Sequence, residues 1–299
     1  MRIRTRALVA IALAATVVTG GLAPASATEQ ELDPSGYWTA ERLRAATPEL
    51  QADPGRSPGA ESAVDTARPA TRGSTAAANS TVGRLFFRTP SGDASCTASV
   101  VNSATKNLII TAGHCVHPGG AGKAYHQNFL FAPGWNGGPS ALGYWSGTAV
   151  RASAEWAQSK KWDHDYAFVR LAPSNGTQIV DRVGGNAVLA GSTHAVANAQ
   201  IWGYPMQAPY TGKTAQRCDA TTTRINSYAH DAVARCDFND GASGGPWLKD
   251  VNASGAGSVW AVTSRCAGSE VTGGCAGTVL YATPLPQAVY TLRDAVAGS

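Results

Sequence analysis

From Val82 onward, short runs of β-branched and aromatic residues alternate with clusters of Gly, Asn, Ser and Pro. The runs at 82–88, 98–101, 107–112, 167–171, 199–202, 259–263 and 279–282 have strand length, and the clusters between them carry turn chemistry. Many short strands separated by frequent turns predict an all-β barrel or sandwich. Helical spacing is clear only over 285–296, where Val289, Leu292 and Val296 recur. A charge-poor stretch near 172–185 is the expected joint between two halves, and no internal repeat is visible.

Residues 28–80 have another texture. They are rich in Ala, Pro, Glu, Thr and Ser, and Tyr37 and Trp38 are their only aromatics. Such a stretch cannot bury much apolar surface by itself, and its end, 69–81, is low in complexity. It reads as a pro-peptide and linker; a solvated spacer that stays attached is the alternative. Ahead of it, Arg2, Arg4 and Arg6 precede an apolar run over 7–19 and the small-residue pattern Ala25-Ser26-Ala27. This is the layout of an export signal over 1–27. The apolar run is shorter than the ~20 residues of a bilayer-spanning helix. A secreted, extracellular protein is therefore expected, with no membrane association once the signal is removed.

Composition narrows the classes. With 43% hydrophobic and 15% charged residues in 299, the chain has enough apolar content for a real core. A net charge of +4, with its six lysines scattered, does not form the basic stripe of a nucleic-acid binder. Six cysteines in an exported chain suggest three disulfides, for which sequence allows 15 connectivities. Chain order and motif position favour Cys96–Cys115, Cys218–Cys236 and Cys266–Cys275. A zinc site built from Cys96, His114, Cys115 and His117 would lack the paired C-x-x-C spacing of structural sites, so no metal is expected.

Three segments carry candidate chemistry. Leu108-Ile109-Ile110-Thr111-Ala112-Gly113-His114-Cys115 is an apolar strand ending in small residues and a histidine. Asp165-Tyr166-Ala167-Phe168-Val169-Arg170-Leu171 is an aspartate opening a strand, and Asp240-Gly241-Ala242-Ser243-Gly244-Gly245-Pro246 sets a serine in a glycine-rich turn. Each alone has a bland reading: a buried histidine, a turn-capping aspartate, an ordinary glycine turn. Together they supply a nucleophile, a base with a near-neutral intrinsic pKa, and an acid to orient that base. Asp163 and His164 flank the same acid, and Asp163-His164-Asp165 could pass for a metal cluster. Only Asp165 stands directly before the strand.

With these segments the chain resembles the chymotrypsin-like serine proteases, whose T-A-G-H-C, D-x-A-[FL]-x-[KR]-L and G-x-S-G-G-P segments occur here in the order His, Asp, Ser over residues 82–299. The resemblance implies an all-β fold of two six-stranded antiparallel β-barrels with a short C-terminal helix. The protease domain would span 81–299, with a first barrel over about 82–175 and a second over about 186–299. It implies a catalytic triad of His114, Asp165 and Ser243, an oxyanion hole from the amides of Gly241 and Ser243, and peptide hydrolysis through an acyl-enzyme. No cofactor is implied; polypeptides are the expected substrates and a monomer the expected state.

Gly203-Tyr204-Pro205 and Cys236-Asp237 resemble the bacterial glutamyl-endopeptidase branch. Ala242 stands where digestive enzymes carry the aspartate that receives a new N-terminal amine, so that switch lacks its counter-ion here. For the substrate pocket the resemblance points to Asp237, Thr263 and Ser264. Asp237 suits a basic side chain by charge, whereas in the glutamyl branch the acid need not face the pocket, and the strand Val262-Thr263-Ser264 lacks that branch's histidine. Basic, acidic and broad preference all stay open. Two other functions are consistent with parts of the pattern: a catalytically silent binding module, and an esterase. The α/β-hydrolase elbow is excluded by the order His, Asp, Ser and by Pro246 after the turn.

Overall fold

The structure, a computed structural model, describes residues 36–49, 71–75, 79–192, 195–224, 232–268 and 275–299. The export-signal reading and most of the pro-peptide reading lie outside these residues. Elements follow the order α1 (Ala40–Ala45), β1 (Thr47–Pro48), β2 (Ser74–Thr75), β3 (Val82–Thr89), β4 (Gly92–Val101), β5 (Leu108–Thr111), β6 (Gln127–Pro133) and β7 (Trp145–Ala152). Then come α2 (Ala154–Ser159), a 3-10 turn at Trp162–His164, β8 (Ala167–Leu171), α3 (Ile179–Val183), β9 (Ala187–Val188), β10 (Ala199–Gly203), β11 (Gln216–Ala220) and β12 (Thr223–Arg224). The chain closes with β13 (Ala232–Arg235), β14 (Pro246–Lys249), β15 (Ser258–Gly268), β16 (Cys275–Pro284) and α4 (Ala288–Ala297).

The first six-stranded barrel runs β4-β3-β6-β7-β8-β5, with β5 returning to β4. The second runs β13-β16-β15-β14-β10-β11, and the chain run 216–224 closes it: β11 pairs with β10, then β12 with β13. Pairing inside each barrel is antiparallel. This is the chymotrypsin-like double barrel that the resemblance implies. The C-terminal helix falls at α4, near the periodic stretch. The short helices α1, α2 and α3 were not legible as periodicity, because five or six residues span under two turns.

Both faces of several strands are buried, which is why their sequences read as continuous apolar runs. Leu85, Phe87, Ile109, Phe131 and Val169 fill the first barrel. Ile201, Trp247, Trp260 and Leu280 fill the second. Their neighbours Phe86, Leu108, Ile110 and Phe168 meet Trp202, Leu248 and Val262 from the second barrel, with Val289 and Val296 of α4 in the same cluster.

Part of the segment read as pro-peptide and linker also packs here. Trp38, Leu43 and Ala46 are buried with Phe86 and Trp135. β1 lies parallel on β4, and β2 pairs antiparallel with β11. A segment too poor in apolar residues to make its own core is buried because the barrel supplies the opposite surface.

Ile109→Ala and Ile110→Ala alter adjacent residues facing the barrel interior and the seam respectively. Each should lower the unfolding free energy by ~2–5 kcal/mol in urea titrations. A near-neutral result for either would mean that its face of β5 is not packed.

Candidate active site

His114 follows β5 directly, where the short sequence Thr111-Ala112-Gly113 lets the chain turn inward. Gly113 is required by crowding: a Cβ there would lie 2.8 Å from the Trp156 ring and 3.0 Å from Asp165 Oδ1. The turn is then set by hydrogen bonds, with Cys115 N donating to Ala112 O and His117 N to Gly113 O. The Cys96–Cys115 disulfide ties the residue after His114 to β4.

Asp165 is fully buried and accepts three hydrogen bonds. His114 N donates to Oδ1 at 2.7 Å, His114 Nδ1 meets Oδ2 at 2.8 Å, and Ser264 Oγ donates to Oδ2 at 2.7 Å. A carboxylate only accepts, so the histidine proton sits on Nδ1 and Nε2 keeps the basic lone pair. Ser264 comes from β15, so donors from both barrels hold one carboxylate. Asp165 is itself placed by the 3-10 turn, and Thr283 Oγ1 from β16 donates to Trp162 O at 2.9 Å. Asp163 pairs instead with its neighbour His164, 2.9 Å from its Nδ1, at the surface side of that turn.

The Ser243 loop is held by its own backbone against β4 and the end of β5. Thr97 N donates to Ser243 O at 2.8 Å, and Thr97 Oγ1 donates to Gly241 O at 2.8 Å. Gly244 has φ +78, and its Cα lies so close to Thr111 that a Cβ would overlap Thr111 Oγ1 and sit 2.9 Å from Ala112 N. Gly241 has φ +96, with Met206 and the Tyr204 carbonyl each 2.6 Å from where a Cβ would stand. Among the described residues the amides of Gly241 and Ser243 have no backbone acceptor. His114 Nε2 is buried with no hydrogen-bond partner, so its bond to the Ser243 hydroxyl is not closed in this structure. Such bonds are often long before substrate arrives.

A narrow cleft beside Ser243 is lined by Asn239, Asp240, Thr263, Arg265, Cys266 and Leu280. Of the three residues that the sequence pointed to for a pocket, only Thr263 lines this cleft. Ser264 turns to Asp165 instead. Asp237 is held elsewhere: its Oδ1 accepts from Tyr210 OH at 2.6 Å and from Gly73 N at 2.9 Å. Burial and that carboxylate push the Tyr210 hydroxyl well above its ordinary pKa. Arg265 is a charged group that sequence reasoning missed, and Asp240, which the sequence offered only as a stand-in for the carboxylate absent at Ala242, also lines the cleft. Position along β15 and before Gly241 was visible, but not which way each side chain faced.

Cys218–Cys236 is formed, and Cys266 is also disulfide-bonded; the side chain of Cys275 lies outside the described residues. Among the described residues two clusters have metal-ligand types, Cys96-His114-Cys115 and Cys218-Cys236-Asp237. In each, both sulfurs belong to one disulfide and offer no thiolate, so neither is a metal-binding donor set. Ala242 is buried, and the Asp240 carboxylate accepts a hydrogen bond from Gln207.

The double barrel with a His–Asp pair and a serine in a glycine-rich turn at its seam defines a chymotrypsin-like architecture. Residues 96–254, just over half of the chain, match the trypsin-like peptidase domain, and the chain belongs to that family. It is similar to the thermostable serine protease AL20 from an extremophilic microorganism, with 28% identity and a TM-score of 0.67 over 74% of this chain and 98% of that one. It is similar to the protease Anisep from Arthrobacter nicotinovorans, with 26% identity and a TM-score of 0.67 over 76% of this chain and 100% of that one. A Glu endopeptidase shares the fold, at 18% identity and a TM-score of 0.61 over 78% and 98% of the two chains. An extracellular metalloprotease of Bacillus subtilis strain 168 is 36% identical over 84 residues. That stretch is 28% of this chain and 25% of the relative, so the chain spans about a quarter of that protein's length, and the metal in its name is said of it alone.

Gly244→Ala should destabilise the protein by roughly 1–3 kcal/mol or more, from overpacking against Thr111 together with an unfavourable φ. Thermal unfolding of this variant beside Gly255→Ala, whose Cβ would meet nothing closer than 3.7 Å, separates crowding from φ alone. Equal losses in the two variants would mean that the Thr111 contact is not tight.

Proposed function

We propose that this member of the trypsin-like peptidase family is a secreted serine endopeptidase that works through an acyl-enzyme on Ser243. The observation that carries the reading is the buried Asp165–His114 pair, with its free basic Nε2, beside a serine whose neighbouring amides are unengaged. Ser243 Oγ attacks the peptide carbonyl carbon while His114 Nε2 takes the hydroxyl proton. Asp165 holds the ring and stabilises the imidazolium. The carbonyl oxygen gains the charge, and the amides of Gly241 and Ser243 donate to it. His114 then gives its proton to the leaving amine, the C–N bond breaks, and water repeats the sequence to release the acid. Polypeptides are the substrates, and the cleft lined by Thr263, Arg265 and Leu280 receives the side chain on the acyl side.

Secretion is supported by the export-signal pattern and by the oxidised cysteines. Residues 1–27 are proposed as the signal and 28–80 as the pro-segment. Ala242 leaves a newly freed amine no carboxylate at the usual position, so activation does not depend on that ion pair. Asp237, engaged by Tyr210 and Gly73, is not a specificity acid in this reading.

Ser243→Ala, His114→Ala and Asp165→Asn should each remove most turnover while leaving the fold intact, with the aspartate change on the order of 10⁴-fold in kcat. Labelling by a serine-directed phosphonate should be lost in Ser243→Ala. Near-normal activity in any folded one of the three would sink that residue's role. Asp237→Asn should leave the side-chain preference unchanged when products of a mixed peptide library are read by mass spectrometry. A shift in preference away from Arg and Lys would place Asp237 in the pocket after all.

A further inference from the structure

The far edge of β4 is divided among three occupants. β5 pairs with it from Ser99 to Val101. Thr97 N donates to the carbonyl of Ser243. Thr47 and Pro48 pair with Ala94 and Ser95, and Glu49 N donates to Ser95 O at 3.1 Å. Alternate residues of a strand present their backbone groups to the same edge, so Ser95 and Thr97 are successive positions about 7 Å apart. The leading segment thus covers the stretch of edge next to the one that holds the nucleophile.

Its seating is specific. Trp38 Nε1 donates to Asn128 O at 2.6 Å, and the Trp38 ring packs on Phe86 with centroids 5.7 Å apart. Tyr37 OH and Arg42 both engage Asp93, at 2.6 and 2.8 Å. Arg84, buried enough that its pKa falls to about 10, donates to the Ala46 carbonyl, to Ser95 Oγ and to Met206 Sδ. Met206 is the side chain that packs on Gly241. Two side chains in series, Arg84 or Ser95 and then Met206, therefore link the leading segment to Gly241, whose amide is assigned to the oxyanion.

This bears on substrate. His114 must protonate the leaving amine, so the leaving half of the substrate lies on its side of the cleft. That side is the first barrel, where the Cys96–Cys115 bond joins β4 to the residue after His114. An extended polypeptide gains main-chain hydrogen bonds by adding to an open strand edge, and the one beside Ser243 is occupied. We propose that residues 36–49 are a built-in competitor that docks on the β4 edge and excludes the leaving-group half of a polypeptide substrate. The inference rests on the peptidase reading above. In the full chain the segment restrains cleavage of long substrates and leaves the acyl-side cleft untouched.

The test uses the full-length secreted chain and its Trp38→Ala/Leu43→Ala variant, with Asp93→Asn as a milder second variant should the first fold poorly. Two substrates share one acyl half. One extends several residues beyond the scissile bond; the other ends there in a chromogenic anilide. Undocking should raise kcat/KM for the extended peptide by ~10-fold if the docked form is ~90% populated, and change the anilide rate little. A synthetic peptide of residues 36–49 added to the variant should reverse the gain by raising KM and not kcat. Equal gains on both substrates, or no gain in either variant, would overturn the proposal. Binding of the extended peptide, followed by fluorescence anisotropy, should tighten in parallel; it decides the question even if phosphonate labelling shows no active serine, an outcome that would count against the peptidase reading alone.

Discussion

A carboxylate with no exposure to water survives as an anion only if fixed donors replace its hydration, and Asp165 has three. Two belong to His114 on the first barrel and one to Ser264 on the second. The same bonds also orient the His114 ring, with Nδ1 on the carboxylate and the buried Nε2 left without a partner. Because one donor crosses the seam, the barrels must be docked in register for the charge to be satisfied. The apolar seam of Ile110, Phe168, Trp202 and Val262 supplies non-directional burial; Asp165 adds direction to it.

The serine side of the site is organised by close backbone approach. Gly244 and Gly241 carry positive φ in places where a Cβ would meet Thr111 or Met206. Thr97 holds the carbonyls of both Gly241 and Ser243, and its Oγ1 also accepts from Tyr204 N. One strand, β4, thus anchors the nucleophile loop through hydrogen bonds, the histidine loop through a disulfide, and the leading segment through β1. The Ser243 loop and the leading segment therefore bear on the same strand edge, although they lie far apart in sequence.

The leading segment also shows how little composition says about docking. Its few apolar residues cannot form a core alone, but Trp38 and Leu43 need only half of one. Phe86 and Trp135 provide the rest. Asp237 makes the complementary point. Its place six residues before the nucleophile suggested a pocket acid, yet Tyr210 and Gly73, from distant parts of the chain, claim its carboxylate.

By itself the sequence determined the class of fold and pointed to His114, Asp165 and Ser243 as candidate reactive side chains, because both are written in local pattern. Short apolar runs between turn residues mean strands wherever they pack, and Thr-Ala-Gly-His-Cys, Asp-Tyr-Ala-Phe and Gly-Ala-Ser-Gly-Gly each carry their chemistry within a few residues. Tertiary structure alone decided that Ser264 bonds Asp165 rather than lining the cleft, that Arg265 and Asp240 line it, and that residues 47–49 pair along the edge of β4. Each of these depends on which distant backbone lies opposite a given side chain. That is set by strand register and by the docking of one barrel on the other, for which no single segment holds the information.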